Sequence, residues 1–193
     1  GFEACVLGQQ VLGGHGYVTE WGLEQNVRDA RIAQIYEGAN GVQALDLMGR
    51  KTVRSNGELL DILSGEMDEF VASQKDVEAM HPYLAAFEKC RGRLEEATSS
   101  VLASSSDDAN AVGAASYSYM ELMGLVLYCF MWQRILSAAL ADQKSGSNDT
   151  DYTDALVKTG EFFLQRLLPR TESLLVEITS GAESLMAMRA EQF

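Results

Sequence analysis

Apolar residues recur along this chain at spacings of three and four and nowhere in sustained alternation, so the pattern predicts helices throughout. Phe2, Cys5, Val6, Gln9 and Leu12 share one face of a first helix, which Gly13-Gly14 stops because glycine takes positive φ at little cost. After a loop, Thr19 opens a second pattern of Leu23, Val27, Ala30 and Ile35 that runs to a turn at Glu37-Gly38. Asn40 can cap a third helix with Val42, Leu45 and Met48 or Gly49 on one face. Ser55-Asn56-Gly57 then reads as a boundary, dividing the chain into residues 1–54 and 55–193.

Beyond that boundary the stripes lengthen. Leu59, Leu60, Leu63, Met67, Phe70 and Val71 form one, with Glu66, Asp68 and Glu69 facing out. Pro82 suits the first turn of the next helix, which carries Leu84, Phe87, Leu94, Ala97 and Val101 inward. Ser104 to Asp108 offers caps to a helix from about Ala109 to Asp142 that is apolar nearly all round and is expected to be the most buried element. A flexible loop is expected over 144–150. A last pattern follows, with Ala155, Leu156, Phe163, Leu167, Leu174, Leu175, Ile178, Leu185 and Met186, kinked or divided by Pro169. The fold class is all-α, a helical hairpin-like end followed by a four- or five-helix bundle.

One stretch does not belong to packing alone. Two glycine-bearing turns bracket the second helical pattern, and its last apolar residues, Ile35 and Tyr36, deliver the carboxylate of Glu37 to a bend. A carboxylate with one apolar wall is a candidate general base, and Gly38 lets backbone N–H groups approach a ligand closely. Read by itself, Glu37 is more often a solvated carboxylate at a helix end.

Composition narrows the classes. The 193 residues, 47% of them hydrophobic, make one generous domain or two small ones. A net charge of −13 argues against nucleic acid and anionic membrane surfaces, which require clustered Lys and Arg. Cys5, Cys90 and Cys129 lie far apart with no CxxC pair, so no metal site or disulfide framework is expected, and reduced thiols fit a cytoplasmic protein. The most apolar stretch, Tyr117 to Leu140, is interrupted by Glu121, Gln133 and Arg134, so no membrane span is expected. The first residues are helical in pattern, with no initiator methionine and no leader visible, and the chain is expected to be cut from something longer.

The segments Gln10-Val11-Leu12-Gly13-Gly14-His15-Gly16-Tyr17, Arg28-Asp29-Ala30-Arg31 and Gln34-Ile35-Tyr36-Glu37-Gly38 together resemble the end of the C-terminal helical domain of the acyl-CoA dehydrogenases, in order and spacing. The bundle after them is similar to the extra C-terminal domain of an extended branch that includes enzymes resembling 3-methylmercaptopropionyl-CoA dehydrogenase. The resemblance implies FAD-dependent oxidation of an acyl-CoA substrate to the trans-2-enoyl-CoA. Glu37 would remove the α-proton, its own N–H would help polarise the thioester carbonyl, and Gly38 would lie along the substrate.

It further implies that Gln10, Val11, Leu12, Gly13 and Gly14 touch the adenosine-diphosphate part of an FAD reached from a neighbouring subunit, and that Ala39, Asn40 and Gly41 lie along the flavin. The family's commoner Thr-Ser-Gln or Thr-Ala-Gln is absent here, and Ala39 offers no hydroxyl. Electron-transfer flavoprotein as acceptor and a homodimer or homotetramer are implied for the whole enzyme. A piece of this size is expected to be inactive and not to retain FAD by itself.

The alternative class is a non-catalytic helical interaction or oligomerisation module, favoured by the departure at Ala39-Asn40-Gly41. His15 reads as a loop residue and His81 as a cap neighbour. Arg28-Asp29-Ala30-Arg31 reads as a salt-bridge and packing element, and Glu95-Glu96 as solvated.

Overall fold

The computed structural model describes residues 1–146 and 149–193. Among the described residues there are helices and turns and no strand. The chain divides into two compact units, Gly1–Gln43 and Ala44–Phe193. Of the expected 144–150 loop, Ser147 and Asn148 lie outside the described residues.

In the first unit, α1 (Phe2–Val11) packs on α3 (Leu23–Ile32), with a short α2 (Gly14–Tyr17) and a 3₁₀ turn (Thr19–Trp21) where a loop is expected. Gly13 at φ 56 ends α1, its N–H donating to Gln10 O at 3.0 Å. The crossing of α1 and α2 is tight at one point: a Cβ on Gly16 would stand 2.2 Å from the Gln9 carbonyl oxygen and 2.9 Å from its carbon. Backbone cannot yield there as a side-chain tip can, so Gly16→Ala is expected to loosen this unit, read as faster hydrogen exchange across α1 than at Gly8→Ala, whose added Cβ meets nothing. The His15 ring meets Trp21 edge-on at 5.4 Å.

This unit has no closed core. No residue of α1 or α3 is buried, and Leu7, Val11 and Tyr17 are 65%, 83% and 77% exposed.

In the second unit, a π-helical stretch (Asp46–Val53) is followed by a turn in which Asn56 and Gly57 have φ 51 and 85. Then come α5 (Glu58–Gln74), α6 (His81–Ser104), α7 (Ala111–Ser145), α8 (Thr150–Phe162), a π turn (Phe163–Leu167), α9 (Arg170–Thr179) and a short α10 (Glu183–Met186). Pro82 occupies the first turn of α6, and every inward residue expected on α6 is buried. Gly146 at φ 63 ends α7, and Asp149 caps α8 by accepting from Asp151 and Tyr152 N–H. Pro169 lies between the π turn and α9, so the last pattern is divided there as expected.

α7 is the centre of the bundle, packed by α6, α8 and α9. Tyr119, Leu122, Val126, Cys129 and Leu136 on it are fully buried, and Phe130 stacks on Phe87 of α6 at 5.7 Å while meeting Phe70 of α5 edge-on at 5.7 Å. The Tyr119 hydroxyl lies 2.8 Å from that of Thr98 and also meets Thr52, so one buried polar contact ties three elements. By length and composition α7 is apolar enough to cross a membrane, which corrects the expectation that no stretch is; its apolarity also serves as the packing surface for its neighbours.

Several side chains face differently from expectation. Between Ala44 and Val53 the buried residues are Ala44, Met48 and Thr52, whereas Val42 and Leu45 are exposed. Leu168 is buried in place of Leu167, and Leu59, Leu185 and Met186 are exposed. Arg91 pairs with Asp68 of α5 and with Glu95, so these two carboxylates are ion-paired rather than merely solvated. All three cysteines are free. A hydrogen bond with the Cys129 thiol, together with burial, holds the Cys90 thiol well above its usual range and so in the protonated form.

Candidate active site

The approach to Glu37 is shorter than the periodicity predicts. α3 ends at Ile32, and the chain folds through turns in which Gln34 N–H donates to Arg31 O at 3.1 Å and Ile35 N–H to Ile32 O at 3.0 Å. Ile35 and Tyr36 therefore lie beyond the helix, about half exposed at 53% and 52%, instead of on its buried face. Asn40 N–H then donates to Gln34 O at 3.0 Å, closing a loop whose middle is Glu37, and Gln43 N–H donates to Ala39 O at 3.0 Å as α4 (Asn40–Leu45) begins. Asn40 is thus the first residue of α4 and not its side-chain cap as expected, and its N–H is directed away from the helix to Gln34.

Glu37 has φ 44 and Gly38 φ 103. A left-handed glutamate costs about 1–2 kcal/mol, and the φ of Gly38 is one that residues with a Cβ rarely take. The Glu37 side chain is exposed to solvent, directly after the half-exposed Ile35 and Tyr36. Its N–H has no intramolecular acceptor among the described residues. One residue thus offers both a carboxylate and an unengaged backbone donor.

Across the hairpin, Phe2 at the start of α1 lines a groove of about 500 Å³ with Val27, Arg28, Arg31, Ile32 and Ile35. The Arg31 guanidinium lies 5.9 Å over the Phe2 ring and donates to Gln34 Oε1 at 2.8 Å, while Asp29 accepts from Gln25 at 2.6 Å. The Arg28 to Arg31 segment is a packing element as expected, but among the described residues no ion pair joins it.

Because Phe2 faces the end of α3, α1 and α3 run antiparallel. Gln10, Val11, Leu12, Gly13 and Gly14 therefore stand at the opposite end of the hairpin from Glu37, Gly38, Ala39, Asn40 and Gly41, about 15 Å away by the length of a ten-residue helix. The two groups do not share a pocket. Gln10 is exposed, Val11 stands 83% exposed, and nothing lies within 4 Å of a Cβ built on Gly13 or Gly14. Two contacts have no signal in the hydrophobic pattern: the Gly16 crossing, and the Gln43 side chain, which folds back onto Gly38. No cluster of three or more metal-ligating side chains occurs among the described residues.

Residues 63–189 match the family model described as acetyl-CoA dehydrogenase C-terminal like, and residues 2–51 match the acyl-CoA dehydrogenase C-terminal domain. The chain belongs to the acyl-CoA dehydrogenase family. Across 95% of its length it is 32% identical to the 3-methylmercaptopropionyl-CoA dehydrogenase of Ruegeria pomeroyi. It is 30% identical over 192 residues to a broad-specificity linear acyl-CoA dehydrogenase of Mycobacterium tuberculosis. A shorter match, 55% identical over 40 residues, joins 21% of the chain to the human mitochondrial short-chain specific acyl-CoA dehydrogenase, a tenth of that protein. The chain spans 31% of the length of each of the first two relatives, so it corresponds to a C-terminal part of an acyl-CoA dehydrogenase.

Proposed function

We propose that this chain forms the C-terminal part of an FAD-dependent enzyme that oxidises an acyl-CoA thioester to the trans-2-enoyl-CoA, with Glu37 as the base. The observation that carries the reading is the turn itself, which presents a carboxylate and an unengaged N–H from one residue, directly after Ile35 and Tyr36. An α-proton beside a thioester is weakly acidic, so its removal requires a poised base and donors aimed at the carbonyl oxygen. The Glu37 carboxylate takes that proton, and the Glu37 N–H donates to the oxygen as negative charge gathers there. An acyl group lying against Ile35 and Tyr36 excludes water from the reaction. Gly38, lacking a side chain, leaves the backbone open for the substrate to lie along.

The Gln10 to Gly14 segment suits the adenosine-diphosphate portion of FAD: its glycine backbone is open, Val11 offers an apolar contact and Gln10 an amide. Its distance from Glu37 fits a contact made to a neighbouring subunit's cofactor, and hence a homodimer or homotetramer. Ala39, Asn40 and Gly41 follow the base and would lie along the flavin. When bound, FAD supplies the acceptor for the β-hydrogen as hydride. Electron-transfer flavoprotein is the proposed onward acceptor and the cytoplasm the proposed location, in keeping with the free thiols. The bundle over 55–193 we read as an added domain that shapes the assembly or covers the site.

The open faces of the first unit imply that residues 1–193 alone neither retain FAD nor turn over substrate. The full-length protein, purified with its flavin, is expected to produce enoyl-CoA from acyl-CoA thioesters, followed by absorbance of the conjugated product. Absence of turnover across short, medium and long acyl chains in flavin-loaded protein would favour the non-catalytic module instead.

A further inference from the structure

Two consecutive residues with positive φ, Glu37 at 44 and Gly38 at 103, form the turn that presents the carboxylate. Such backbone persists where neighbouring structure over-determines it. One restraint is the bond from Asn40 N–H to Gln34 O, which fixes the ends of the loop and leaves its apex free.

The apex has a different restraint. The Nε2 of Gln43 lies 2.2 Å, its Cδ 3.2 Å and its Cγ 3.5 Å from the point where a Cβ on Gly38 would stand. The carboxamide thus fills the space of the missing side chain and rests against the Gly38 backbone. Its own root is fixed, because the Gln43 N–H donates to Ala39 O in the first turn of α4. The side chain makes no hydrogen bond among the described residues, so packing is what it contributes there. Glycine at 38 is required twice over, by its φ and by the amide lying on it. Gln43 falls outside every apolar stripe of the sequence.

We propose that Gln43 is a positioning residue, whose side chain packs on Gly38 and holds the bend that presents Glu37. This rests on the reading of Glu37 as the base. Gln43 does not take part in proton transfer; it narrows the range of directions in which the carboxylate and the Glu37 N–H point.

The test uses the full-length, flavin-loaded enzyme and three variants. Gln43→Ala empties the space over Gly38, and Gln43→Met refills it with a chain of similar length that lacks the amide. Gln43→Ala is expected to lower kcat about 10-fold or more, as small misplacements of a reacting group do, with KM within about twofold of the parent and with unchanged flavin content and thermal midpoint. Gln43→Met is expected to restore kcat to within about threefold.

A Gln43→Ala enzyme with parental kcat, a loss of rate that merely follows loss of bound flavin, or a Gln43→Met enzyme as slow as the alanine variant would each overturn the proposal. Glu37→Gln in the same assay separates the two levels. If it is inactive while Gln43→Ala is unaffected, only the positioning role fails. If Glu37→Gln itself turns over normally, the base assignment fails and the positioning role with it.

Discussion

In the full-length enzyme, Glu37→Gln is expected to reduce enoyl-CoA formation by about 10²- to 10⁴-fold, the range a positioned general base contributes. The substitution keeps the length of the side chain and the backbone N–H, so the bend at φ 44 and its donor remain. What it removes is the ability to accept a proton. Flavin content should stay at the parental level, because the substitution leaves Gln10 to Gly14 and the backbone of Ala39, Asn40 and Gly41 unaltered. A variant that lost flavin and activity together would point to a structural role for Glu37.

Phe87→Ala is expected to destabilise the bundle by about 3–5 kcal/mol. Phe87 is fully buried on α6, stacked at 5.7 Å on Phe130 of α7, which in turn meets Phe70 of α5, so it ends an aromatic series that spans three helices. Truncation leaves a cavity bounded by α-helical backbone that cannot collapse freely, and it also breaks an aromatic stack. For a unit of this size each kcal/mol lowers the thermal midpoint by about 2–4 °C. Ile62→Ala on the neighbouring α5 is the control: Ile62 is 68% exposed, and its loss should lie within about 0.5 kcal/mol of zero. Chemical denaturation of the 193-residue chain followed by circular dichroism measures both. Equal effects from the two substitutions would mean that the three-helix stack is not the core of the unit.

What could be read from the sequence, and what could not, follows from the geometry of individual turns. On α6 the 3.6-residue repeat holds for 24 residues, and Leu84, Phe87, Leu94, Ala97 and Val101 all face inward as spaced. The same repeat misplaces residues where the helix widens. Arg54 N–H donates to Gly49 O and Leu168 N–H to Phe163 O, both across five residues, so each turn holds more residues than an α-turn. Beyond the second of these turns the inward position therefore passes from Leu167 to Leu168, whereas from Ala44 to Thr52 the buried residues recur every four, with Met48 inward as expected and Leu45 outward.

At the candidate site the residue types were legible and the backbone was not. Glu37-Gly38 announces a bend, yet the apolar spacing of Ile35 carries the predicted helix past Ile32, where the chain has already left it. That Glu37 itself takes positive φ, and that Gln43 fills the space over Gly38, depend on closure of the loop by Asn40 and Gln34, a contact without a hydrophobic signature. The exposed apolar faces of α1 and α3 were unreadable for a different reason: periodicity marks which side of a helix is apolar and says nothing of whether a partner covers it.

The assignment of Glu37 as the base is tested most directly by proton exchange at the α-carbon. Full-length, flavin-loaded enzyme and its Glu37→Gln variant are each incubated in D₂O with an acyl-CoA, and deuterium at C2 of the recovered thioester is measured by mass spectrometry. The parent is expected to introduce deuterium at C2 and the variant to do so no faster than buffer; incorporation by Glu37→Gln at the parental rate would contradict the assignment.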